Sequence, residues 1–249
     1  MSYNENIVLQ LDDDDSFEQG VLYNDQPLIL YLSLTINNAK NLNDAGNLVI
    51  GTSDNPWYKQ IKFYLNGKPS NVNFNILSFT PKQSVFDMHV DYSFLIEFGV
   101  DPELVGNIEN GNQTLEAHIP SLNNSNELLK SNKITILKKN ESLPQSLKKE
   151  PNMLRIAEYF LDRNNVEKAQ LILNQLFNSN PTSVNVLFNL GRLEEIKEDK
   201  NKAQEYYLSA LSEFNKQFPD DEEGPEIIIT KILNMGGELP DSLDDEESV

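Results

Sequence analysis

One stretch of the chain repeats itself at an offset of 34 residues. Few features constrain a fold more, because a fixed period of this length means stacked copies of one supersecondary unit. Ile156 and Ala157 align with Leu190 and Gly191, and Ala169 aligns with Ala203. The small residues at 157, 169, 191, 203 and 210 stand where two helices approach closely, since a bulky side chain there would hold them apart. Ile156, Phe160, Leu173, Leu190 and Tyr207 supply apolar faces at helical spacing, and Asp162–Asn165 and Glu198–Asn201 read as the polar turns inside each helix pair. Pro181 follows a helix ending near 178–180, a place where it ends rather than interrupts the hydrogen-bond ladder. The spacing predicts helices at about 151–163, 166–179, 182–197 and 200–217, and Glu226–Met235 reads as a further helix capping the array.

These positions resemble the tetratricopeptide (TPR) repeat family over residues 150–218. In the first unit Ile156, Ala157, Phe160, Ala169, Leu173 and Pro181 fall where the family places its large, small, aromatic, small, large and proline residues; in the second, Leu187, Leu190, Gly191, Ala203, Tyr207 and Ala210 do so. The chain departs from the pattern at Glu194, which stands where Phe160 stands one unit earlier, at Leu176, where a small residue is usual, and at Asn215, where no proline closes the second unit. Two repeats are fewer than a free-standing array needs, so other parts of the chain, or another copy, must cover its exposed faces. The resemblance implies a helical-hairpin domain over 150–236 that binds a protein or peptide partner on the concave surface lined by the first helix of each hairpin. That surface includes Leu154, Glu158, Leu161, Asn185, Phe188, Asn189 and Arg192. Members that grip a C-terminal carboxylate use Lys, Asn and Arg there; Glu158 argues against such a clamp, and an apolar peptide anchored on Phe188 and Leu154 is expected instead. The competing expectation is that these residues are buried against the N-terminal domain.

From Met1 to about Lys139 the apolar residues come in short runs bounded by Asn, Asp, Gly and Pro, the pattern of strands joined by turns. Leu28–Ile36 is the clearest strand. Ile61–Leu65 precedes Asn66-Gly67, a two-residue hairpin signal, with Val72–Phe79 expected as its partner. Ile7–Leu11, Val85–Val90, Tyr92–Phe98, Gln113–Ile119 and Lys133–Leu137 complete a set that suits a two-sheet β-sandwich over 1–139. The stretch Phe98-Gly99-Val100-Asp101-Pro102-Glu103, with Gly111 and the strand reaching Ala117, resembles the late part of bacterial immunoglobulin-like domains, where an acidic-Pro turn precedes the penultimate strands. The fold class expected is therefore a mixed two-domain chain, an all-β immunoglobulin-like sandwich followed by all-α TPR-like hairpins. A hydrophilic linker is expected over 140–149, and an acidic disordered tail over 237–249.

The formal charge is -19, and about half of it lies in the last 30 residues. A phosphate backbone needs a basic stripe, so nucleic acid and anionic membrane are poor partners, and basic proteins fit better. The chain has no cysteine, which removes disulfides, thiolate catalysis and cysteine-ligated zinc. Met1–Asn6 carries no leader signature and no run is apolar enough for a span, which predicts a soluble cytoplasmic protein. Asn112-Gln113-Thr114, Asn123-Asn124-Ser125 and Asn140-Glu141-Ser142 fit the glycosylation pattern, as chance predicts in so Asn-rich a chain. His89 and His118 lie in strand-like segments with no third ligand at metal spacing, and Asp12–Asp15 lack the alternating pattern of a calcium loop. Phosphate loops, nucleophile elbows and paired His-Glu helices are missing. No catalytic, cofactor-binding or metal-binding residue is nominated, and no cofactor is implied. The sequence thus points to a non-enzymatic interaction or scaffold protein. Its rival is a structural or exported surface component in which the sandwich binds, with Trp57-Tyr58, otherwise read as core residues, able to stack on a glycan, and the helical pair makes a homo-oligomer.

Overall fold

Leu28, Leu30, Leu32, Leu34 and Ile36 alternate with residues of the opposite face, and this period of two puts all five into one buried core. In the computed structural model, which describes residues 4–11, 20–37, 47–49, 57–80, 85–87, 92–121, 126–219 and 225–239, they lie on one long strand. The strands are β1 (Asn4–Leu11), β2 (Val21–Leu22), β3 (Leu28–Asn37), β4 (Asn47–Val49), β5 (Lys62–Leu65), β6 (Lys68–Pro69), β7 (Asn75–Thr80), β8 (Val85–Asp87), β9 (Tyr92–Val100), β10 (Gly111–Pro120), β11 (Leu128–Lys130) and β12 (Ile134–Lys138). A first sheet runs β1-β3-β9-β7, antiparallel throughout. A second runs β2-β12-β10-β5-β6 with β11 also on β10, and only its β2–β12 pair is parallel. The short strands β4 and β8 pair with each other.

Leu9, Leu32, Phe94 and Ile96 of the first sheet and Phe63, Leu115, Ala117 and Ile136 of the second share one apolar core. The expected Asp101-Pro102 turn is the start of a short helix, α1 (Pro102–Val105), with proline at its head and Val105 buried. At the edge strand β1 the side-chain amide of Asn132 imitates a further strand: Leu9 N donates to Asn132 Oδ1 at 2.7 Å, and Asn132 Nδ2 donates to Leu9 O at 2.9 Å.

The Asn66-Gly67 turn forms as expected, with φ of 52° and 75°, but its outgoing strand is β6, not Val72–Phe79. Pro69 has no N–H to extend the ladder, and Val72 N donates to Ser70 Oγ in a local turn. The chain then crosses to the first sheet, where β7 pairs with β9 through an irregularity between Ile76 and Ser78. The segment expected as a hydrophilic linker over 140–149 is in part held to the turn between β2 and β3. Asn24 N donates to Glu141 O, Leu143 N donates to Asp25 Oδ1, and Leu143 is buried. Two compact units result, Met1–Leu147 and Lys148–Val249.

The second unit contains α2 (Glu150–Asp162), α3 (Val166–Ser179), α4 (Val184–Ile196), α5 (Lys200–Gln217) and α6 (Glu226–Asn234). Three of them start on side-chain caps: Asn165 accepts from Lys168 N, Ser183 from Val186 N and Asp199 from Lys202 N. Helix α2 packs on α3 and α4 on α5. Gly191 of α4 meets the Tyr207 ring of α5 so closely that a Cβ would lie 2.5 Å from its Cε1. Ile228 and Ile232 of α6 join Leu187, Ala203, Tyr207, Ala210 and Leu211 in one buried cluster. The acidic tail from residue 240 onward lies outside the described residues.

Candidate functional site

Helices α2 and α4 lie side by side. Positions 154, 158 and 161 recur at i, i+4, i+7 on the first, and 185, 188, 189 and 192 at i, i+3, i+4, i+7 on the second, so each set forms one stripe. The 34-residue offset places Leu154 opposite Phe188 and Glu158 opposite Arg192 in the alignment of the two units.

The polar members of these stripes form one network. Asn189 Nδ2 donates to Glu158 Oε1 at 3.0 Å and to the Asn185 carbonyl at 3.0 Å. Arg192 donates from Nη1 to Asn189 Oδ1 at 3.0 Å and from Nη2 to Asp162 Oδ1 at 2.7 Å. Arg155 Nη1 stands 3.9 Å from Glu158 Oε2. Asn189, only 1% exposed, is the hub: its amide is satisfied on both sides, which fixes its orientation and that of its neighbours. Burial raises the Glu158 carboxyl above its ordinary value, against the opposing pull of the Asn189 hydrogen bond and of Arg155 and Arg192.

The apolar members behave differently. Leu154 and Leu161 are 8% and 3% exposed, so they are covered and offer little surface to an incoming peptide. Phe188 is half-buried, with its ring 5.5 Å from that of Tyr207. The expected pair of apolar anchors is thereby reduced to the accessible part of Phe188. Of the remaining members Phe188, Glu158 and Arg192 are half-buried and Asn185 is exposed. Sequence reasoning missed Arg155 and Asp162 as members of the network. The i, i+3 spacing of Arg155 and Glu158 was a usable signal, whereas the pairing of Asp162 with Arg192 depends on how two helices pack.

The departure at Glu194 has a local compensation. Its buried carboxylate accepts from Lys197 Nζ at 3.0 Å and stands 3.3 Å from Lys202 Nζ. Beside it Glu195 Oε2 accepts from both Tyr207 Oη at 2.5 Å and Lys231 Nζ at 2.7 Å, tying α6 to the α4–α5 pair. Burial and that carboxylate together push the Tyr207 hydroxyl far above its ordinary value.

In the first unit His118 is buried, its Nε2 is 2.5 Å from Glu116 Oε1, and its ring stacks on Tyr64 at 3.9 Å. Among the described residues no three of His, Asp and Glu stand close enough to hold a metal ion. His89 and Asp12–Asp15 lie outside the described residues. Among the described residues no helix is long and apolar enough to cross a membrane. Comparison with known proteins finds no family model that matches the chain and no curated protein similar to it.

Proposed function

We propose that the chain is a non-enzymatic, cytoplasmic interaction protein in which a TPR-like helical unit, joined to an immunoglobulin-like sandwich, binds a peptide segment of a protein partner. The observation that carries this reading is the α2–α4 face, where side chains from two helices repeated at a 34-residue offset converge on one ordered polar network with Phe188 beside it. A peptide laid along this face meets Phe188 as its apolar contact and the exposed Asn185 amide and the outer edges of Glu158 and Arg192 as its polar ones. Both arginines of the cluster already face carboxylates of the same cluster, so a peptide C-terminal carboxylate gains no unneutralised cation there. That makes an internal peptide segment, rather than a chain end, the expected ligand. The acidic balance of the whole chain favours a basic partner over nucleic acid or an anionic membrane.

A displayed random-peptide library, selected on the intact protein and on an Asn185→Arg variant, tests this. Asn185 is exposed, so the variant is expected to keep its circular dichroism spectrum while placing a long cation across the face. Peptides enriched on the intact protein should bind the variant at least about tenfold more weakly. Peptides that bind both forms equally would remove the α2–α4 face as the binding site.

A further inference from the structure

From Asn55 to Phe86 the chain runs 32 residues without one Asp or Glu, although acidic residues number 39 in the whole sequence, and the run carries Lys59, Lys62, Lys68 and Lys82. This is a local island of positive charge in a strongly negative protein. Its described part folds around a cleft of about 500 Å³ on the first unit, within the range of small-molecule sites. Tyr58, Phe63, Phe74 and Phe98 form the apolar lining. These rings brace one another: Phe63 stacks on Phe74 with centroids 4.0 Å apart and meets Phe98 edge-on at 5.0 Å, so the wall is formed in advance of any ligand.

The polar lining of the cleft comprises Tyr58, Lys59, Lys62, Ser70, Asn73 and Asn75. Lys59 and Lys62 line it and form no ion pair among the described residues. The Asn75 side-chain Nδ2 is buried without a hydrogen-bond partner among the described residues, while its Oδ1 already accepts from Asn73 Nδ2 at 3.1 Å. The Ser70 hydroxyl is engaged with the backbone of Val72 in both directions. Tyr58 and the exposed Asn73 add further polar groups, and beside them a buried donor and two cations stand unpaired among the described residues; these three are matched by an acceptor carrying negative charge. A neutral sugar would bring its own hydroxyl donors and leave both cations unneutralised.

We propose that this cleft binds a small organic anion, a carboxylate carried on an apolar or aromatic body. The body fills the aromatic lining, the carboxylate pairs with the exposed Lys59 or Lys62, and a rotation of the Asn75 side chain brings its unpartnered Nδ2 to the same carboxylate. The site is separate from the α2–α4 face, and either reading stands without the other.

The test follows the amide NMR spectrum of the full chain during titration with octanoate and phenylacetate, with octanol and phenylethanol as uncharged counterparts, and with a neutral disaccharide. The acids are expected to shift amides within residues 58–76 and to bind about tenfold or more tightly than the matching alcohols. A Lys59→Ala, Lys62→Ala variant is expected to bring the acids down to the affinity of the alcohols while the alcohols and the rest of the spectrum stay as they were. Phe74→Ala should weaken acid and alcohol alike. The proposal is overturned if acids and alcohols bind equally, if the lysine variant binds the acids unchanged, if no probe shifts the cleft, or if the disaccharide shifts it and the acids do not.

Discussion

Glu158 carries a charge that its surroundings on balance oppose. A carboxyl whose value is raised by burial holds its proton more tightly in the folded chain than in the unfolded one. Between the ordinary carboxylate range and the raised folded value the native chain binds more protons, so stability from this group falls as pH rises through that window. Above it the ionised side chain carries its full desolvation cost. Glu158→Gln removes the charge and keeps Oε1 as acceptor for Asn189. We therefore expect the variant to be more stable than the parent in urea near neutral pH, with the gain vanishing below about pH 4, where both side chains are neutral. Equal gains at both pH values would show that charge burial at Glu158 is not the cause.

Pairs of helices are set by smaller features still. The approach of α4 to α5 depends on Gly191, because a methyl group there would overlap the Tyr207 ring, and that ring is itself fixed by its hydroxyl on Glu195. Gly191→Ala gains helix propensity and loses packing. With the contact this close, the net expectation is destabilisation by about 1–3 kcal/mol. The same substitution in a Tyr207→Leu background should cost clearly less, and additive losses in that double-mutant cycle would place the strain elsewhere. This close approach was legible in the sequence from the small residues at 157, 191, 203 and 210, and the helix ends were legible from the polar turns at 162–165 and 198–201 and from Pro181. Both are local signals. The partner of β5 was not legible, because β6 and β7 each follow it within reach of a turn, and the choice between them turned on Pro69 and on the pairing of β7 with β9.

On the scale of the whole molecule the chain has two compact units, each with its own buried cluster. Each is thus expected to lose its structure in its own transition. Amide hydrogen exchange in β3 and β9 follows the sheets, while far-ultraviolet circular dichroism follows the helices. Ile232→Ala empties a fully buried position of α6 and should lower the stability of the helical transition by about 2–5 kcal/mol, leaving the exchange of the β3 and β9 amides as it was. Leu32→Ala in the sheet core should do the reverse. If either substitution moves both transitions together, the units unfold as one cooperative body.

The sequence by itself determined what depends on neighbours along the chain: helix positions from the 34-residue spacing, their ends from the polar turns and Pro181, the Asn66-Gly67 turn from its tolerance of positive φ angles, and the main strands from their period of two. Tertiary structure alone decided what depends on residues far apart. It closed the β1 edge with Asn132, 123 positions away from Leu9, tied Asn66 to Thr114 across 48 positions, and withdrew Leu154 and Leu161 from the surface. It also gathered four aromatic rings and two lysines into one cleft. The physical reason is that backbone hydrogen bonds in helices and turns close over a few residues and leave a pattern there. Burial and side-chain pairing are set by whichever surfaces meet, and a periodic pattern names the face that is covered without naming what covers it.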